Sequence, residues 1–99
     1  MKFNLGQLVM TRAINDRVAQ EEKFAKFICD SLDKYKKCDW GETCEEDKQL
    51  NNEAVANGDR ILATYIYDKN DVSFMGEGKI YIITEWDRSA TTILYPHEY

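Results

Sequence analysis

The chain has 99 residues, 43% of them apolar and 31% charged, and 18 acidic against 13 basic side chains leave a formal charge of −5. That length is expected to hold one domain, 1–99, with one modest core. The acidic balance opposes non-specific attraction to nucleic acid or anionic lipid, and no apolar run reaches the roughly 20 residues of a membrane span.

In chain order, "GQLVMT" (6–11) predicts a short strand after Gly6. In "INDR" (14–17), Asn15 or Asp16 is a candidate helix N-cap. "DRVAQEEKFAKFICDSLDKYKK" then reads as one long helix, or as two with a break near Gln20. Phe24, Phe27, Ile28, Leu32 and Tyr35 fall on one stripe at helical spacing, which assigns Phe24, Phe27 and Leu32 to the core. Glu22–Lys26, Asp30–Lys34 and Asp33–Lys37 have i,i+4 spacing, so the lysines of "DKYKK" (33–37) read as an ion-paired face rather than a basic patch.

Gly41 in "CDWGE" interrupts the helical pattern. Thr43 and Glu46 then have capping-box spacing, with Glu45, Glu46 and Asp47 favouring the positive end of a helix that runs to Asn57. Gly58 supplies the left-handed residue that ends it. Its apolar stripe is narrow, comprising Leu50, Ala54 and Val55. "RILATYIY" (60–67), "IYIITE" (80–85) and "TTILY" (91–95) predict strands, and in the connection "DKNDVSFMGEGK" (68–79) the segment "VSFM" is a candidate extra strand or flap. The order predicts an α+β fold: two or three helices packed on a small antiparallel β-sheet, a C-terminal three-stranded meander with room for an extra N-terminal strand. The strands are apolar on both faces, so the second face is covered or meets a partner.

Three cysteines without a C-x-x-C pair, and one histidine, argue against a zinc site and for reduced thiols. No metal ligand set, cofactor motif or nucleophile–base pair is read from the sequence. The N-terminus lacks the apolar core and small-residue cleavage site of a signal peptide, so a cytoplasmic location is expected. Asp39, Glu42, Glu45, Glu46 and Asp47 form the densest acidic cluster, but "DWGETCEEDKQL" lacks the alternating oxygen ligands and central glycine of a calcium loop. "GEG" (76–78) is followed by neither the helix nor the Lys-Ser/Thr of a phosphate loop. A face mimicking nucleic-acid phosphate is weakly supported by so small a charge excess.

Trp40 and Trp86 each sit beside an acid and a turn former, as lids over the core or as exposed anchors. In "EWDRS", Asp87 can accept from the Ser89 amide and Arg88 can pair with Glu85 across the loop. Glu85, Trp86, Asp87 and Arg88, with Asp39 and Trp40, are therefore the candidate binding surface, because exposed aromatics with arginine are the composition of interaction hot spots.

"GQLVMTRAINDRVAQEEKFAKF", "DWGETCEEDKQLNNEA", "NGDRILATY" and "IYIITEWDRSATTILYPHEY", in that order and over nearly the whole chain, resemble a family of small plasmid-related proteins of bacterial plasmids and mobile elements. The family's Glu-x-Asp-Arg-Ser string falls on Glu85, Asp87, Arg88 and Ser89, and the insert "YDKNDVSFMGEGK" departs from the pattern. The resemblance implies a mobile-element accessory protein and supplies no activity or catalytic residue. Three readings follow. The first is a non-enzymatic module that binds a protein partner. The second is a small enzyme or ligand-binding domain using Glu85, Asp87, Arg88 and Asp39. The third is self-association through the second sheet face.

Overall fold

The computed structural model describes residues 2–71 and 77–99, so "VSFM" lies outside the described residues. The elements are β1 (Gln7–Met10), α1 (Arg12–Gln20), α2 (Glu22–Lys36), α3 (Glu45–Asn57), β2 (Ile61–Ile66), β3 (Lys79–Thr84), β4 (Ala90–Leu94) and a 3₁₀ turn over Pro96–Glu98. The α+β architecture stands, with the sheet in the order β1-β4-β3-β2. β2, β3 and β4 make the antiparallel meander. β1 is the further N-terminal strand, and it joins β4 in parallel with Gln7 beside Ala90.

The helical stretch 12–36 is two helices. Glu21 between them is extended, at φ −124° and ψ 106°. The first helix starts a turn earlier than Asn15 or Asp16 would place it. Thr11 is its N-cap, accepting from the Ile14 amide at 3.4 Å. The same Thr11 donates its own amide to the Ile93 carbonyl at 3.1 Å, so the last bond of β1 and the first turn of α1 share one residue. The break lets both helices turn a face to the sheet: Ile14 of α1 is buried, as are Phe24, Ile28, Ser31 and Tyr35 of α2. Phe27 and Leu32 lie at the margin of that stripe, half-buried against the core. Lys26 pairs at 3.8 Å with Asp30, base before acid, rather than with Glu22.

At the Glu21 joint, Arg17 bonds Glu21 at 2.9 Å and lies 4.2 Å over the Phe24 ring. It also donates to the Glu77 carbonyl at 2.7 Å and the Tyr95 hydroxyl at 3.2 Å, which ties the helix pair to the ends of β3 and β4.

The core face of the sheet carries Ile61, Ala63 and Tyr65 from β2, Ile80 and Ile82 from β3, and Ile93 from β4. The N-terminal residues Phe3 and Leu5 enter this core as well. Phe3 packs edge-on against Tyr35 at 5.5 Å and tilted against Trp40 at 6.2 Å. A hydrogen-bonded chain crosses the same interior: Tyr35 to Thr84 at 2.7 Å, Thr84 to Thr91 at 2.8 Å, Thr91 to the Leu5 carbonyl at 2.7 Å. The carbonyl can only accept, so Thr91 donates to it, Thr84 donates to Thr91, and Tyr35 donates to Thr84. The direction of all three bonds is fixed by the last one.

The second face is partly covered by the chain itself. Ile83 and Leu94 are buried there. Tyr99, beyond the 3₁₀ turn, stacks edge-on against Tyr81 at 6.0 Å, and Arg60 both covers the Tyr99 ring and donates to its hydroxyl. Val9 and Ile66 remain exposed at opposite edges.

The third helix departs from its sequence reading. Its N-cap is Cys44, whose side chain makes no capping bond, and Gly58 ends it at φ 76° in the left-handed region. The Thr43–Glu46 capping box does not form, because the Thr43 hydroxyl works elsewhere: it donates to the Trp40 carbonyl at 2.5 Å and accepts from the Thr64 amide at 2.9 Å. Leu50 is exposed, and Asn51 and Ala54 face inward in its place.

These polar contacts close one edge of the sheet. Asn51 accepts from the Leu62 amide at 3.3 Å and donates to the Leu62 carbonyl at 2.8 Å. Glu42 supplies its amide to the Thr64 carbonyl at 2.9 Å and its carboxylate to the Ile66 amide at 3.0 Å. Gly41 runs beside Thr64 at φ 63°, where a Cβ would lie 2.5 Å from the Tyr65 ring. The segment around "DWGETC" therefore covers the outer edge of β2.

Candidate functional site

The β3–β4 hairpin presents "EWDRS". Glu85 donates its amide to Ala90 at 3.0 Å, and Arg88 donates its amide to the Glu85 carbonyl at 2.9 Å, closing a tight turn. Asp87 accepts from the Ser89 amide at 3.0 Å, as the turn chemistry predicts. That amide and the Ser89 hydroxyl hold the Asp87 carboxyl below its ordinary value.

Arg88 lies in the left-handed region at φ 61°, a conformation that costs a non-glycine residue roughly 1 kcal/mol. Its guanidinium explains how that is sustained. It turns inward and donates to three carbonyls: Asp59 at 2.6 Å, Ala54 at 2.9 Å and Glu85 at 3.2 Å. Ala54 belongs to the last turn of α3, whose carbonyls carry the negative end of the helix dipole, and its carbonyl also accepts from the amides of Gly58 at 2.9 Å and Asp59 at 3.1 Å. The predicted Glu85–Arg88 contact thus runs to the Glu85 carbonyl.

From the other side, Gly6 presses on the turn. At φ 64°, a Cβ on Gly6 would collide with the carbonyls of Arg88 and Ser89. The turn is held between the N-terminal segment and the end of α3. Trp86 stands on it, 68% exposed.

The second candidate segment plays another part. Trp40 is a lid, 3% exposed, against Phe3 and Tyr35, with its indole N–H donated to Asn52 at 2.9 Å. Asp39 is exposed and accepts from the Gly41 amide at 3.1 Å, while its carbonyl accepts from the Tyr65 hydroxyl at 2.7 Å. The two segments meet at Phe3, which touches Trp40 and lies 5.9 Å beneath Arg88. They converge through buried groups, with Trp86 on the outside.

An open groove runs between the 38–40 turn and α3, lined by Cys38, Asp39, Trp40, Glu46 and Asn52 among others. Burial pushes the Cys38 thiol above its ordinary value. The acidic cluster is divided: Glu42 serves the β2 edge, and Glu45 pairs with Lys48 at 3.5 Å. Among the described residues, no group of three or more His, Cys, Asp or Glu side chains is placed to hold a metal ion, and no helix is long and apolar enough to cross a membrane.

Sequence reasoning missed Asn51, Thr43 and Glu42 as edge-covering residues, Phe3 as a core residue, and Arg17 as the tie at the helix joint. Only Phe3 left a signal, an aromatic residue in an uncharged N-terminal run. Comparison with protein-family models, curated proteins and solved structures returned no match for the chain.

Proposed function

We propose that the chain is a non-enzymatic, protein-binding accessory protein of a plasmid or mobile element, and that Trp86 anchors its partner. The mobile-element part rests on the sequence resemblance alone. The binding part rests on one observation: the largest exposed aromatic side chain stands on a turn fixed from both sides. A tryptophan on a backbone turn held in place spares the cost of ordering that backbone on docking, and truncating a buried hot-spot tryptophan typically costs at least about 2 kcal/mol of binding, roughly thirtyfold. Arg88 and Asp87, which a ligand-binding or catalytic reading would employ, are engaged with backbone, and this weighs against the alternative.

The test is affinity capture from a bacterial host lysate with wild type and Trp86→Ala. The proposal expects a stoichiometric partner on the wild type, loss of it on Trp86→Ala, and equal thermal stability of the two proteins. Equal capture by both, or none by either, would reject the role of Trp86.

A further inference from the structure

We infer that the free edge of β1 pairs with the same edge of a second copy, antiparallel about a two-fold axis at Val9, to make one continuous eight-stranded sheet.

The sheet has two edges, and the chain treats them differently. Along β2, side chains of Asn51, Thr43 and Glu42 and the Glu42 amide occupy both outward backbone groups of Leu62 and of Thr64 and the amide of Ile66. Along β1, the sole strand neighbour among the described residues is β4. Gln7 donates to the Ser89 carbonyl at 3.0 Å and Thr11 to the Ile93 carbonyl at 3.1 Å, so residues 7, 9 and 11 face β4. By the alternation of a strand, the N–H and C=O groups of Leu8 and Met10 point away from the sheet.

Such an edge is ordinarily blunted by charge, proline or a bulge. This one has none of them. Residues Phe3–Thr11 run without a charge in a chain that is 31% charged. Leu8 and Val9 are 46% and 38% exposed.

The spacing of the outward groups identifies the occupant. An added strand of any kind would find backbone partners, but a second β1 matches in full. Run antiparallel with Val9 on the axis, Leu8 exchanges two hydrogen bonds with Met10 of the other copy, and Met10 exchanges two with its Leu8. Val9 faces its own equivalent in the closer, non-hydrogen-bonded pair. Leu8 and Met10 then share one face of the joined sheet, and the two Val9 side chains share the other. Charge selects the same place: each copy carries −5, and an uncharged edge lets two such molecules approach without bringing like charges into contact. The contact is only four residues long, so association rises with concentration rather than being complete at all concentrations.

Sedimentation equilibrium of the full chain over a wide concentration range is expected to give a monomer–dimer equilibrium, and Val9→Lys, which places two ammonium groups on the axis, to give monomer. Register is tested separately with Val9→Cys under mild oxidation. Residues of a non-hydrogen-bonded antiparallel pair lie about 4.5 Å apart at Cα, within disulfide range. Val9→Cys should therefore give a covalent dimer at a rate well above that of wild type, which carries the native cysteines, and of Leu8→Cys, whose equivalents are offset. A strict monomer at the highest concentration, a dimer that survives Val9→Lys, or equal cross-linking of all three proteins would overturn the inference. The first result would leave β1 without a second copy, and the second would place the contact on another surface.

Discussion

Replacing Thr91 by valine leaves the Leu5 carbonyl without its donor and the Thr84 O–H without its acceptor, while Thr84 keeps the bond it accepts from Tyr35. Replacing Tyr35 by phenylalanine removes one bond into Thr84, which still donates to Thr91. A buried orphan costs about 1–3 kcal/mol and an ordinary lost bond about 1, so Thr91→Val is expected to lose about 2–4 kcal/mol and Tyr35→Phe about 1. Urea unfolding of both would check the order, and a reversal would contradict the direction assigned to the chain. Burial also raises the ionisation of Tyr35 and Tyr65 well above the ordinary tyrosine value of 10.0. Above about pH 10 the unfolded chain releases these protons while the fold keeps them. The folded state then binds more protons, and stability falls as pH rises, by about 1.4 kcal/mol per pH unit for each tyrosine; below that pH the two contribute no slope. Unfolding free energies measured between about pH 9 and 11 should bend downward near 10, less steeply in Tyr35→Phe. Neither effect was legible in the sequence. Thr84 and Thr91 read as ordinary β-branched strand residues, and only their apposition across two strands shows the hydroxyls at work.

At the scale of the element, the helices and strands were readable because burial imposes a period: Phe24, Ile28 and Tyr35 on α2, alternate residues along β2. Caps were less readable. Thr11 and Thr43 are both threonines before a helix, yet the first caps and the second bonds a strand edge, because β2 passes close to one and not the other. In the same way Leu50 read as part of the apolar stripe of α3, but the helix turns Asn51 inward, because the edge of β2 offers a donor and an acceptor on one residue, Leu62, and the amide side chain meets both. Asn51→Ala removes both bonds. Water can replace part of them, so the expected loss is about 1–2 kcal/mol, together with increased light scattering on heating as the β2 edge becomes available to other chains. Unchanged stability and scattering would show that the amide contributes nothing.

Across the whole molecule, the candidate site was half legible. Composition drew attention to "EWDRS" and "DWG", and turn chemistry accounted for Asp87. What the sequence left open was the direction of Arg88 and the fate of two tryptophans, since both depend on which distant segments pack beneath them. Phe3 and the end of α3 supply the answer: Arg88 turns inward, Trp40 closes the core, and Trp86 stays outside.

The placement of β1 has a consequence in time. Its strand partner among the described residues is β4, and the bond from Thr91 to Leu5 spans 86 residues. On a ribosome adding about 5–20 residues per second, the N-terminal segment waits roughly 4–17 s before its partner exists. Contacts of such sequence separation form late and slow the folding of small domains. Through that interval the uncharged stretch Phe3–Thr11 is exposed on both sides in every nascent copy, and neighbouring chains on one message carry the same stretch.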